Sequence, residues 1–230
     1  MNERKEEIRI VYDVLIPSGS VLLEGNLVIP MRASGIVLFA HGSGSSRHSS
    51  RNQQVADVLS DASIGTLLFD LLTRREEEED RYTGHIRFNI DLLAKRLSDA
   101  TQWLRSRDDS RGFPFGYFGS STGAAAALVA EAERRNEVAA IVSRGGRPDL
   151  AGEVLSDIKA PTLLIVGERD APVIKLNWQA YDQLRCEKRV EIIERATHLF
   201  EEPGALEEVA RLATEWFRKY FEQGKPAGST

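Results

Sequence analysis

The sequence predicts a doubly wound α/β fold: a mostly parallel central sheet with helices on both faces and an antiparallel hairpin at its start. Three observations lead there. Apolar residues alternate with a period of two near the N-terminus, short continuous apolar runs recur along the rest of the chain, and helical periodicity fills the intervals between those runs.

Taken in order, Ile8, Ile10, Tyr12, Val14 and Ile16 alternate, and beyond Pro17-Ser18-Gly19 the set Val21, Leu23, Gly25, Leu27 and Ile29 keeps the same period, which predicts a hairpin. Ile36–Ala40 is the first fully apolar run, and Val55, Val58, Leu59 and Ala62 then step as one face of a short helix. Thr66–Phe69 is the second run. The acidic stretch from Glu76 to Asp80 has no apolar periodicity, and consecutive carboxylates on one loop do not converge on an ion, so a solvated loop is expected rather than a metal cluster. Ile90, Leu93, Leu97, Ala100 and Leu104 predict a longer helix, Phe115–Phe118 a strand, and the alanine-rich stretch after Thr122 a helix behind it. Val138–Val142 and Thr162–Val166 are further strands, residues 173–184 carry a short helix, and Val190–Ile193 is the last strand. Leu206, Val209, Ala210, Ala213, Phe217 and Tyr220 mark a strong final helix. Runs without a polar side are what strands covered on both faces require, hence the parallel sheet.

The 230 residues and 42% hydrophobic content suit one domain with a sizeable core. No internal repeat or linker divides the chain, so residues 1–223 are expected to form one domain and 224–230, rich in breakers, a flexible tail. A formal net charge of -5 argues against a dedicated nucleic-acid binder. The single cysteine, Cys186, can form no internal disulfide and no zinc framework. The first residues lack the apolar core of a signal peptide and no apolar stretch reaches the roughly 18 residues that span a bilayer, so a cytoplasmic protein without membrane contact is expected.

The chemistry-bearing segment is Gly119-Ser-Ser121-Thr-Gly123, a G-x-S-x-G pattern between a predicted strand and a predicted helix. A serine on that sharp turn projects its hydroxyl above the sheet, and the helix behind it directs unpaired N–H groups and its positive dipole end toward the same point. Ser121 is therefore the candidate nucleophile and the Thr122 N–H a candidate oxyanion donor; as a bare pattern, Ser121 also reads as a helix N-cap. A serine needs a base and an orienting acid. Of His41, His48, His85 and His198, the last stands on a loop between the final strand and the final helix, at the carboxyl edge of the sheet where open α/β folds hold ligands. Asp170, directly after the strand Thr162–Val166, is the favoured acid, with Glu168 and Asp149 as competitors. The loop after the first parallel strand, His41-Gly42-Ser43-Gly44-Ser-Ser-Arg47-His48, would supply the second oxyanion donor, assigned to the Ser43 N–H with Gly44 as alternative. It lacks the G-x-G-x-x-G spacing and G-K-[ST] ending of a nucleotide site.

With His41-Gly42, Gly119-Ser-Ser121-Thr-Gly123, Gly167-Glu-Arg-Asp170 and Ala196-Thr-His198 in that order, the chain resembles the α/β-hydrolase superfamily, and in particular proteins related to dienelactone hydrolase, from the first hairpin to near Phe221. The resemblance implies an α/β-hydrolase fold with little or no lid, and an ester or acyl hydrolase. Dienelactone hydrolases proper carry cysteine at the elbow, whereas here the residue is serine and Cys186 lies far away. The expected activity is therefore carboxylesterase-like: Ser121 attacks, His198 takes its proton, Asp170 holds the imidazole, and no metal or organic cofactor takes part. A thioesterase, acyltransferase or cofactor-free perhydrolase would use the same triad, and a non-catalytic relative would use the same cleft for binding. The short Val142–Leu150 connection leaves no room for a large cap and suits small to medium soluble esters, with Arg144 and Arg147 as candidate partners of an acidic substrate group.

Overall fold

In a computed structural model, residues 9–134 and 137–223 are described. Ile8 and the predicted 224–230 tail lie outside the described residues. The alternating N-terminal segment forms the hairpin β1 (Arg9–Ser18) and β2 (Val21–Pro30), turning at Gly19 with a φ of +58°. Six further strands follow: β3 (Ile36–Ala40), β4 (Gly65–Phe69), β5 (Phe115–Ser120), β6 (Val138–Arg144), β7 (Thr162–Gly167) and β8 (Lys188–Ile193). They lie in one sheet in the order β1-β2-β4-β3-β5-β6-β7-β8, with β1, β2 and β4 paired antiparallel in turn and every later pairing parallel.

Helices α1 (Ser50–Asp61) and α6 (Ala205–Gln223) cover one face, where Val37, Phe39, Phe118, Val142 and Ile165 meet Val55, Leu59, Val209 and Phe217. On the other face α3 (Ile90–Ser106) and α4 (Thr122–Arg134) bury Leu38, Leu67, Tyr117, Ile141 and Leu164 against Leu93, Leu97, Leu104 and Leu128. Alternate residues of each strand thus enter different cores, which is why these strands read as continuous apolar runs. The predicted inner face of α1 is narrower than expected: Val58 is 36% exposed.

The acidic run is a helix, not a loop. It belongs to α2 (Arg74–Thr83), which starts at a capping box: the Thr73 hydroxyl accepts from the Glu76 N–H, and the Glu76 carboxylate accepts from the Thr73 N–H. Gly84 closes it in the left-handed conformation. Its carboxylates are used as well as solvated, because Glu76 pairs with the buried Arg96 and Asp80 is buried against Arg87 and the Ile86 N–H. Residues Pro148–Asp157, without a predicted element, form two short 3-10 turns broken at Gly152, and α5 (Ala171–Gln183) completes the order.

β3 and β5 are neighbours, but the chain leaves β3 for β4 on one side and returns to β5 on the other. The loops leaving the carboxyl ends of β3 and β5 therefore diverge and open a crevice at this switch point. The first carries His41 to His48 and the second carries Ser121.

Candidate active site

Ser121 occupies the turn between β5 and α4 with a φ of +50°, one of four non-glycine residues at positive φ among those described. Such a backbone costs about 1–3 kcal/mol and persists only where its surroundings enforce it. The flanking glycines do so: a β-carbon at Gly119 would overlap the α-carbon of Ala124, and one at Gly123 would overlap the carbonyl oxygen of Ala40. Both positions let α4 press onto β5 and β3, so the helix N-terminus meets the serine at close range. The Ser121 N–H donates to the Arg144 carbonyl at 3.4 Å, and the Ser121 carbonyl accepts from Arg147 N–H and Ala124 N–H at 3.0 and 3.1 Å. Its hydroxyl has no hydrogen-bond partner among the described residues and stands free.

His198 lies on the loop between β8 and α6, and its Nδ1 is 2.6 Å from Oδ2 of Asp170, which follows β7. The side chain of Asp170 is 12% exposed and that of His198 41%, so the carboxylate is the buried and anchored member of the pair. The Asp170 N–H donates to the Gly167 carbonyl, fixing the turn that presents it. The two competing acids are engaged elsewhere. Glu168 accepts from the Arg195 N–H at 2.7 Å, and Asp149 takes both forks of Arg147 at 2.9 and 2.8 Å. That ion pair also ties Arg147 down, whereas Arg144 has no carboxylate partner among the described residues. Buried, its guanidinium reaches, among the described residues, the Asn52 side-chain oxygen at 3.4 Å and the Phe200 ring, and one terminal nitrogen is unpaired. Burial, with the nearby Arg51 charge, lowers its pKa to about 10.

The loop after β3 lies against the nucleophile, since a β-carbon at Gly42 would stand 3.0 Å from that of Ser121. His41 holds this loop. Its Nε2 accepts from the Leu71 N–H at 2.9 Å, so Nδ1 carries the ring proton and donates to the Gly42 carbonyl at 3.0 Å. Burial pushes its pKa down, consistent with a neutral ring in a structural role. The Ser43 N–H donates to the Thr122 hydroxyl oxygen at 3.0 Å. The Thr122 N–H, on the first residue of α4, and the Gly44 N–H have no acceptor among the described residues. Beside the loop lies a cavity of about 320 Å³ walled by Ser43, Gly44, Leu71, Leu72, Asp80 and Arg87.

Sequence reasoning missed the Thr122 hydroxyl, the clamp made by His41, and Asp80 and Arg87 as cavity walls. The T-x-x-E box at Thr73–Glu76 was the available signal for α2, and hence for that wall. Nothing in sequence spacing signals which atoms a threonine hydroxyl will meet across 79 residues. Among the described residues no group of three or more His, Cys, Asp or Glu side chains is placed to hold a metal ion, and no helix is long and apolar enough to cross a membrane.

Comparison with known proteins agrees with this fold. Residues 33–211 match the family model described as alpha/beta hydrolase domain. A crystal structure of dienelactone hydrolase from Anabaena variabilis is 60% identical and superposes with a TM-score of 0.90 over 92% of this chain and 98% of that one. Est1E from Butyrivibrio proteoclasticus, 13% identical, shares the fold with a TM-score of 0.77 over 91% of this chain and 99% of its own. A Mycobacterium tuberculosis protein named "Putative phosphoribosyl transferase" is 52% identical over 225 residues, which are 98% of this chain and 48% of that protein. The chain thus spans about half the length of the curated relatives it matches.

Proposed function

The chain belongs to the α/β-hydrolase family, and from that premise we propose that it is a serine hydrolase cleaving carboxylic esters of small to medium soluble substrates. Ser121 adds to the ester carbonyl as its proton passes to Nε2 of His198, the carbonyl electrons move onto oxygen, and the tetrahedral intermediate expels the alcohol, which takes that proton. Water, activated by the same histidine, then releases the acid and restores Ser121. Asp170 keeps the Nδ1 proton in place, leaving Nε2 free as the base, and stabilises the imidazolium. The proton taken by the alcohol comes from Ser121, and the attacking water returns one to it through His198.

The observation that carries the proposal is the 2.6 Å bond between Asp170 and His198, on the same sheet edge as a serine held at positive φ. The cavity beside Ser43 suits one end of a compact ester, since leucines line it together with the Asp80–Arg87 pair. An acidic group on the substrate would find Arg144 the less committed of the two predicted arginines, because Arg147 is held by Asp149. Phosphoribosyl transfer is named for relatives about twice as long as the shared stretch, and no feature of the site described here favours it. A fluorophosphonate probe is expected to label Ser121, and Ser121→Ala to abolish hydrolysis of short p-nitrophenyl esters while the melting temperature holds. Unchanged turnover in that variant would sink the mechanism.

A further inference from the structure

The oxyanion donors expected from sequence are two backbone N–H groups, on Ser43 and Thr122. Only one of them is free. The Ser43 N–H is occupied at 3.0 Å by the Thr122 hydroxyl oxygen, which belongs to the residue carrying the other donor. A substrate oxygen cannot reach the Ser43 N–H while this bond stands.

The bond leaves the hydroxyl with something to give. Its oxygen has accepted one N–H, whereas its proton has no acceptor among the described residues, and Thr122 is 3% exposed. A buried hydroxyl proton without a partner is costly. A β-carbon at Gly42 would stand 3.0 Å from that of Ser121, so the Ser43 N–H that the hydroxyl accepts extends from a backbone packed against the nucleophile. The Gly42 carbonyl, pinned by His41 and by the Ser45 N–H, fixes the peptide plane from which the Ser43 N–H extends in the opposite direction, toward Thr122. The threonine hydroxyl is thus held in a defined rotamer by a donor that cannot itself move.

We propose that the Thr122 hydroxyl is a catalytic oxyanion donor, with the Ser43 N–H acting through it. This rests on the serine-hydrolase reading and specifies its transition-state site. As Ser121 forms its bond to the carbonyl carbon and the electron pair moves onto oxygen, that oxygen accepts from the Thr122 N–H and from the Thr122 O–H. The Ser43 N–H, donating into the same hydroxyl, polarises it and makes it a better donor. No proton is transferred along this chain and no further reactant is needed. One residue supplies two donors. The arrangement also keeps the Ser43 N–H satisfied when no substrate is bound.

The test uses Thr122→Val, which keeps the backbone N–H and nearly the same volume but removes the hydroxyl, alongside Thr122→Ser, which restores it. Kinetics are measured on p-nitrophenyl acetate, with melting curves to establish that each variant is folded. Removal of one oxyanion donor reduces kcat by about 10²–10³-fold, so kcat of the valine variant is expected to fall by that order with KM within about threefold, and the serine variant to stay within about fivefold of the parent. A second readout is the affinity for phenylboronic acid, whose tetrahedral Ser121 adduct places an oxygen in the hole; it should weaken at least tenfold in the valine variant only. A valine variant as fast as the parent, or faster, would show that the hydroxyl merely plugs the Ser43 N–H and would overturn the proposal. A serine variant as slow as the valine one would overturn it too, pointing to packing of the methyl group. If the parent turns over esters and Ser121→Ala does not, the hydrolase reading stands whichever way Thr122 falls. If the parent neither cleaves esters nor binds the boronate, the two fall together.

Discussion

Replacing Asp170 by asparagine tests the charge relation on which the proposed base depends. In the parent, Asp170 Oδ2 lies 2.6 Å from Nδ1 of His198; in the proposed mechanism it accepts the ring proton there, and Nε2 is the base for Ser121. An asparagine amide can turn its NH2 group toward Nδ1, favouring the tautomer with the proton on Nε2, which cannot accept a proton from Ser121. In a serine triad this change lowers kcat by about 10⁴-fold, equivalent to about 5.4 kcal/mol at 1.36 kcal/mol per factor of ten. Here the His198 side chain is 41% exposed, so solvent reaches the ring and blunts the tautomer preference. The loss expected in kcat/KM on a short p-nitrophenyl ester is therefore about 10²–10⁴-fold. Asp149→Asn is the matched control. It loosens a partly exposed ion pair with Arg147, worth about 1 kcal/mol or less, and should leave kcat/KM within threefold of the parent. If Asp170→Asn keeps activity within threefold, or Asp149→Asn loses more, the assignment of the acid fails.

Gly123→Ala places a β-carbon against the Ala40 carbonyl, a backbone atom that cannot rotate away. Overpacking of this kind costs about 3 kcal/mol, so thermal melting should drop by about 6–12 °C; a melting curve like the parent's would show that α4 can shift off β3. Burial holds the folded-state pKa of His41 below its ordinary value of 6.5, so below that pH the unfolded chain binds a proton that the folded chain refuses. Stability contributed by the neutral ring is present above pH 6.5 and is lost as the pH falls, by at most about 1.4 kcal/mol per pH unit for one proton. Urea unfolding between pH 7.5 and 5 should show this slope reduced in His41→Asn, and identical slopes would remove His41 from the acid sensitivity.

Comparing the residues with their placement shows what could be read in advance. Ile36–Ala40 is a strand at the bounds its apolar run predicted, because a segment buried on both faces announces itself by composition. The positions of Ser121 and His198 on loops following strands were legible, since the loop after a parallel strand stands at the carboxyl edge of the sheet whatever the strand order. The Glu76–Asp80 run misled for a physical reason: α2 is held by a capping box and by buried ion pairs, not by an apolar stripe, so hydrophobic periodicity was the wrong signal.

The sequence by itself determined the α/β class, the strand-to-helix turn at Ser121, and the kinds of group that stand at the sheet's carboxyl edge. Those follow from local patterns, because burial on both faces and a tight strand-to-helix turn each demand particular residues within a few positions. The strand order that opens the crevice between β3 and β5 came from the tertiary structure. Only the tertiary structure decided among equivalents. Asp170 meets His198 while Asp149 is taken by Arg147, and the Thr122 hydroxyl meets the Ser43 N–H across 79 residues of chain. A carboxylate or hydroxyl has the same chemistry wherever it stands in a sequence; its partner is chosen by loops that converge only when the sheet has formed.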